Sequence, residues 1–265
     1  MRVYISADIE GVAGIAAWEE TVKGGKGYET HALQLTKEVE AACKGAIEAG
    51  AQEVYVRDAH DSARNINFNL LPEEVYLQRG WAQEPSCMVS GIDRGFDAAI
   101  FIGYHSRAGS NKSPLAHTLS TNIEYIKLNG RKVSEFVINA YTAAYYKVPV
   151  VFVSGDKELM EEVYEYNSHI STLSTKEGVG DSVISIHPER AIREIRDEVR
   201  EVLSKGFLEC ILTLPEAFQV EISYKSHQSA YRMSFYPGAS LKDEHTIAFN
   251  TEDYYEVLRF LHFVS

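Results

Sequence analysis

Five side chains of metal-binding or proton-transferring type stand just after three short strand-like runs. Asp8 and Glu10 follow Arg2 to Ala7, Asp58 and His60 follow Glu53 to Arg57, and His105 follows Ala98 to Gly103 in G-Y-H. In extended backbone a D-x-E pair points both carboxylates the same way, which suits two oxygen ligands on one metal or one carboxylate bridging two. With two imidazoles they make a mixed N/O donor set. Such a set suits Zn²⁺, with Mn²⁺ and Co²⁺ as competitors separated by geometry and availability rather than ligand type. Two His and two or three carboxylates exceed the needs of one tetrahedral zinc, which favours a pair of ions roughly 3.5–4 Å apart. Each residue alone has an ordinary structural reading: an acid after a strand caps the next helix, a lone His packs in a core, and Asp58 orients His60 without touching metal. Agreement among three strand ends lifts the set above those readings. His117, in P-L-A-H-T twelve residues past His105, is of the type that exchanges protons near neutrality, with an unperturbed pKa of ~6.5; an exposed loop histidine is the competing reading. His31, His169, His187, His227, His245 and His262 lack acidic partners at metal spacing and are assigned no chemistry.

Ala98 to Gly103 and Val148 to Ser154 are continuous apolar runs of the kind buried on both faces of a parallel sheet. Leu35, Val39, Ala42, Cys43, Ala46 and Ile47 recur at helical spacing from Tyr28 to Ala49, with Gly50 placed as a stop. In an open parallel sheet ligands bind beyond the carboxyl ends of the strands, so the five side chains can converge on one crevice. Asn129-Gly130 between Tyr125 to Leu128 and Lys132 to Ser134 is a strong hairpin signal, with Glu135 just beyond it and a helix from Ser134 to Tyr146. Pro188 and Gly206 bracket a further helix. Four strand-like runs follow, Cys210 to Leu214, Phe218 to Tyr224, Tyr231 to Tyr236 and His245 to Asn250, then a terminal helix from Glu252. The expected architecture is α/β: a mainly parallel covered sheet with helices on both faces in residues 1–205, and a smaller α+β part in residues 206–265.

Composition narrows the function. The 265 residues carry 26 Lys plus Arg against 38 Asp plus Glu, a net charge of −12, which disfavours nucleic acid or an anionic membrane as partner. At 45% hydrophobic and 24% charged the chain can bury a large core, which excludes disorder. A charge at Asp8 interrupts any signal peptide, and no window reaches the ~18 uncharged residues of a membrane helix, so a soluble, cytoplasmic protein is expected. Cys43, Cys87 and Cys210 are odd in number and far apart, arguing against disulfides and thiolate zinc sites. Phosphate-loop, dinucleotide, zincin and G-x-S-x-G signatures are absent.

The hexapeptide Ser6-Ala7-Asp8-Ile9-Glu10-Gly11 resembles the S-x-D-x-E-G signature of the D-aminopeptidase family of binuclear zinc metallopeptidases. Asp58-Ala59-His60-Asp61-Ser62, Gly103 to Ala108, Ala116-His117-Thr118 and Val133-Ser134-Glu135 through Asn139-Ala140-Tyr141 resemble it too, in the same order and at near-equal spacing. The match is dense to about residue 156 and thinner beyond, and the His105 to His117 loop is slightly longer than the family pattern. The resemblance implies that Asp8, Glu10, His60, His105 and Glu135 bind two zinc ions and that His117 is catalytic outside the metal shell. For Glu135 the resemblance is the sole basis. It also implies short peptides with D-residues, of the D-Ala-D-Ala type, as substrates, and a ring-like homo-oligomer, a decamer, as the assembly. The same ligand types also serve a binuclear metallophosphoesterase or other amidohydrolase, with Arg57 and Arg107 to hold phosphate. A metal-dependent peptide-binding protein without turnover is the non-enzyme alternative.

Overall fold

Strands without a polar face need cover on both sides, and the apolar runs are found in that setting. The computed structural model describes residues 1–265. In chain order its strands are β1 (Arg2–Ala7), β2 (Glu53–Asp58), β3 (Val75–Gln78), β4 (Ala98–Tyr104), β5 (Ile123–Leu128), β6 (Arg131–Lys132), β7 (Val150–Asp156), β8 (Ser171–Val179), β9 (Ser182–Ser185), β10 (Phe218–Tyr224), β11 (Ser240–Leu241) and β12 (Thr246–Thr251). Its helices are α1 (Tyr28–Glu48), α2 (Glu135–Tyr145), α3 (Lys157–Tyr166), α4 (Pro188–Ser204), α5 (His227–Met233) and α6 (Tyr254–Val264).

The large sheet has the order β3-β2-β1-β4-β7-β8-β9, parallel except at the β8–β9 edge. Right-handed crossovers put α1, running β1 to β2, on one face, and α2 and α3, running β4 to β7 and β7 to β8, on the other. Helix α4 packs along α1 and completes the first layer. Every residue of β4 and β7 is buried. The direction of winding reverses between β1 and β4, the position where open α/β sheets bind ligands. No helix is long and apolar enough to cross a membrane.

The second sheet, β11-β12-β10-β5-β6, is antiparallel. The small sheet draws on both sides of the expected boundary near residue 206, taking β10, β11 and β12 from after it and the β5–β6 hairpin from before it. That hairpin turns on Asn129 and Gly130 at φ of +49° and +82°, the two positive values a tight two-residue turn demands.

Two expected strands differ. Residues Tyr231 to Tyr236 lie in and just after α5, because Ser226 caps that helix by accepting from the Ser229 amide at 3.2 Å. Cys210 to Leu214 has no strand partner; Asn167 donates its side-chain amide to the Glu209 carbonyl at 2.7 Å, and Leu208–Cys210 forms a 3₁₀ turn. Unanticipated elements are β3, α3, β8, β9 and the short β11. Strand β8 (S-T-L-S-T-K-E-G-V) carries almost no apolar residues, so no periodic signal marks it.

The turn between β1 and its following loop is set by close backbone approach. The Gly11 amide donates to the Gly103 carbonyl at 2.8 Å, and the Asp8 amide to Ile102 at 2.8 Å. Gly103 sits at φ +71°, where an added Cβ would lie 2.2 Å from the Asp8 carbonyl oxygen. Gly103→Ala is therefore expected to lose at least about 1–3 kcal/mol from strain alone, read as a lower urea midpoint; an unchanged midpoint would refute the close-approach account.

Candidate metal centre

The residues picked out by spacing meet beyond the carboxyl ends of β1, β2 and β4. Asp8 and Glu10 come from the loop leaving β1, His60 from the loop leaving β2, and His105 directly from β4. Glu135 arrives by another route, as the first residue of α2 after the β5–β6 hairpin, with Ser134 as its N-cap. All five are buried.

Asp8 stands between two groups of donors. Its Oδ1 is 3.2 Å from His60 Nδ1, which is also 3.1 Å from Glu10 Oε2. Its Oδ2 is 3.4 Å from His105 Nε2, which is 3.2 Å from Glu135 Oε2. These atoms face one another at short range, yet Glu10 Oε2 and His105 Nε2 have no hydrogen-bond partner although both are buried. Unsatisfied buried polar atoms are costly, and here their lone pairs converge on shared space, the geometry of a donor set for cations. Asp8, Glu10 and His105 form one three-donor group, and His105, His117 and Glu135 another.

Each imidazole is held by a backbone carbonyl. His60 Nε2 lies 2.9 Å from the Thr21 carbonyl, His105 Nδ1 3.0 Å from Ser106, and His117 Nδ1 3.0 Å from Leu115. A carbonyl only accepts, so in the neutral ring each of these nitrogens carries the proton. The lone pairs are thereby left on His60 Nδ1, His105 Nε2 and His117 Nε2.

Electrostatics describe the same demand for positive charge. Burial and the neighbouring Glu10 raise the Asp8 carboxyl above its usual range. Burial works the same way on Glu10 and Glu135, but His60 outweighs it at Glu10, which falls well below the usual range, and His105 lowers Glu135 to about 2. Burial alone would lower both imidazoles; Glu10 instead drives His60, and Glu135 drives His105, well above the ordinary histidine value. Three carboxylates in one buried pocket hold protons on the imidazoles unless another cation displaces them.

Asp58 is not a member of the donor set, nor does it touch the His60 ring. Its carboxylate accepts from the Asn65 amide at 2.6 Å, the Ile66 amide at 2.8 Å and Asn65 Nδ2 at 2.9 Å. Asn65 Nδ2 also donates to the His60 carbonyl at 2.7 Å, so Asp58 shapes the loop and the loop places the ring.

His117 lies at the rim despite its long loop, stacked on His105 with ring centroids 4.2 Å apart and 7° between planes. Its Nε2 is 3.7 Å from Glu135 Oε1, whose carboxylate also accepts from the Leu119 amide at 2.8 Å. Trp18 meets the His117 ring edge-on at 5.2 Å.

The centre opens into a cavity of about 610 Å³. Its walls include Trp18, Trp81, Cys87, Asn139 and, from α6, Leu261 and His262. These were not legible as site residues; His262 in particular has no acidic neighbour in sequence. Asp61 and Glu84 join the three acidic ligand candidates in the lining, and no Lys or Arg does. Arg57 is fully buried behind the wall, donating to the Gly80 carbonyl at 2.5 Å and lying over the Trp81 ring at 4.5 Å. Arg107 lines a separate surface cavity among Lys112, Arg131 and four glutamates.

Comparison with known proteins gives one consistent answer. The family model described as D-aminopeptidase matches residues 1–263. A D-aminopeptidase of Bacillus subtilis (strain 168) is 30% identical over 258 residues, 97% of this chain and 93% of that protein. Among solved structures, the Zn-dependent D-aminopeptidase DppA from Bacillus subtilis, described as a self-compartmentalizing protease, superposes with a TM-score of 0.93 at 28% identity, over 100% of this chain and 96% of that one.

Proposed function

The chain belongs to the D-aminopeptidase family, and from that membership and the site geometry we propose that it is a zinc-dependent aminopeptidase removing the N-terminal residue of short D-amino-acid peptides. Asp8, Glu10 and His60 are assigned to one ion and Asp8, His105 and Glu135 to a second. The observation that carries this reading is the division of the Asp8 carboxylate, one oxygen toward His60 and the other toward His105. Orphaned Glu10 Oε2 and His105 Nε2 fit the same assignment.

Bound zinc would acidify a water and polarise the scissile carbonyl. The chain's own groups do the rest. The Thr21 and Ser106 carbonyls fix the two imidazole tautomers. His117, with its lone pair on Nε2 and its other nitrogen tied to Leu115, takes up a proton and returns it to the leaving amine. A cavity lined by acids and free of Lys and Arg favours a substrate that brings an ammonium group, as a peptide N-terminus does. It disfavours a phosphate ester, since Arg57 and Arg107, the cations available for phosphate, do not line it. In this reading the enzyme acts in the cytoplasm as a ring-like homo-oligomer, supported by the self-compartmentalizing description of the similar solved structure.

The test is zinc content together with alanine release from D-Ala-D-Ala and L-Ala-L-Ala on one metal-loaded sample. Two zincs per chain and faster cleavage of the D-peptide are expected. L-preference would overturn the stereochemistry, and phosphate-ester hydrolysis without peptide hydrolysis would overturn the reaction. Two bound metals with no turnover on either class would leave the peptide-binding alternative.

A further inference from the structure

The two halves of the centre hang on loops leaving β1 and β4, and a two-ion site works only if their separation is fixed. Behind them lies a buried ion pair. Lys176 on β8 and Asp156 at the end of β7 are register partners, each 2% exposed, with Nζ 3.9 Å from Oδ1. Each charge reaches forward to a different loop. Lys176 Nζ donates to the Glu10 carbonyl and, at 2.6 Å, to the Ile15 carbonyl. Asp156 Oδ2 accepts from the Ser106 amide at 3.1 Å, and Ser106 is the residue whose carbonyl holds the His105 ring.

The use made of Asp156 is informative. It occupies the N-cap position of α3, where aspartate normally accepts from its own helix's amides, yet it makes no such bond. Its carboxylate is turned to Ser106 and Lys176 instead. The neighbour Thr175 adds a third tie, its hydroxyl donating to the Gly11 carbonyl at 2.5 Å. Buried lysines are rare and costly unless paired, so the pair needs a reason to persist in place of apolar residues.

We propose that Lys176 and Asp156 are positioning residues that set the spacing between the Glu10 and His105 halves of the metal centre. This inference rests on the two-ion reading of the site. Neither side chain touches substrate or metal; each acts through backbone of the ligand loops.

The test uses Lys176→Met, Asp156→Asn and the double variant in the full chain, loaded with Co²⁺ or Zn²⁺. Lys176→Met is expected to bind metal roughly 10–100-fold more weakly, to alter the Co²⁺ visible spectrum, and to lose kcat with KM near the wild-type value. In the double variant no buried charge is left unpaired, so metal-free thermal stability recovers toward wild type while the altered spectrum and low kcat remain. This separation keeps the test valid even if Lys176→Met alone fails to fold. Recovery of kcat and spectrum together with stability would make the pair merely structural, and a wild-type spectrum in Lys176→Met would likewise overturn the inference while leaving the proposed function standing. Wild-type protein that binds no Co²⁺ would remove the two-ion reading and this inference with it.

Discussion

Asp8→Asn protein is expected to lose zinc from both half-sites, retaining well under one per chain, and to hydrolyse D-Ala-D-Ala no faster than chelated wild type. The reason is the sharing of one carboxylate between two donor groups: its Oδ1 faces His60 and its Oδ2 faces His105, at 3.2 and 3.4 Å. Asparagine keeps the size of the side chain but replaces one acceptor oxygen with an NH₂ donor, which cannot ligate a cation and removes a negative charge from both half-sites. Glu10→Gln is the control with a different signature. Glu10 makes its close contact with His60, Oε2 to Nδ1 at 3.1 Å, and reaches His105 only within the wider three-donor group, so that variant should lose the ion on the His60 side and keep the one between His105 and Glu135. Metal analysis and Co²⁺ titration read both. Equal metal loss in the two variants would contradict a bridging Asp8.

His117→Ala should separate chemistry from metal binding. The ring lines the cavity, has its Nδ1 proton committed to Leu115, and stacks on His105 without lying between Asp8 and Glu10. Loss of a general acid/base removes roughly 10²–10⁴-fold from kcat, so turnover should fall by that factor while two zincs remain bound. The nearness of Nε2 to Glu135, 3.7 Å, makes the alternative concrete: loss of one zinc along with turnover would identify His117 as a ligand. Turnover within threefold of wild type would remove it from the mechanism.

The large sheet was legible because β4 and β7 hold continuous apolar runs and β1 and β2 short β-rich ones, each followed by polar residues. A strand ends where its backbone leaves the ladder, so Asp8, His60 and His105 marked strand ends and active-site candidates at once. The β5–β6 turn was legible for a similarly local reason, since Asn-Gly tolerates the positive φ the turn requires. Strand β8 was illegible because it is almost wholly polar, with only Thr175 and Lys176 buried, and so carries no apolar alternation; with it went Lys176. Tyr231 to Tyr236 reads as β-rich, but the capping bond from Ser226 and burial of Ala230 favour a helix there.

By itself, then, the chain's order of residues determined the parallel α/β frame and the four ligand candidates carried on strand ends. Its likeness to the D-aminopeptidases added Glu135 as a ligand and turned His117, a loop histidine of proton-exchanging type, into the expected catalytic residue. Only the tertiary structure decided that Asp8 divides its carboxylate between two donor groups, that Asp58 acts through the His60 loop, and that α6 walls the cavity. Those outcomes depend on distances between segments far apart in the chain, such as Glu10 and Lys176, 166 positions apart. Local patterns record which way a side chain faces along its own strand or helix. They hold no record of which distant carbonyl or amide it will meet.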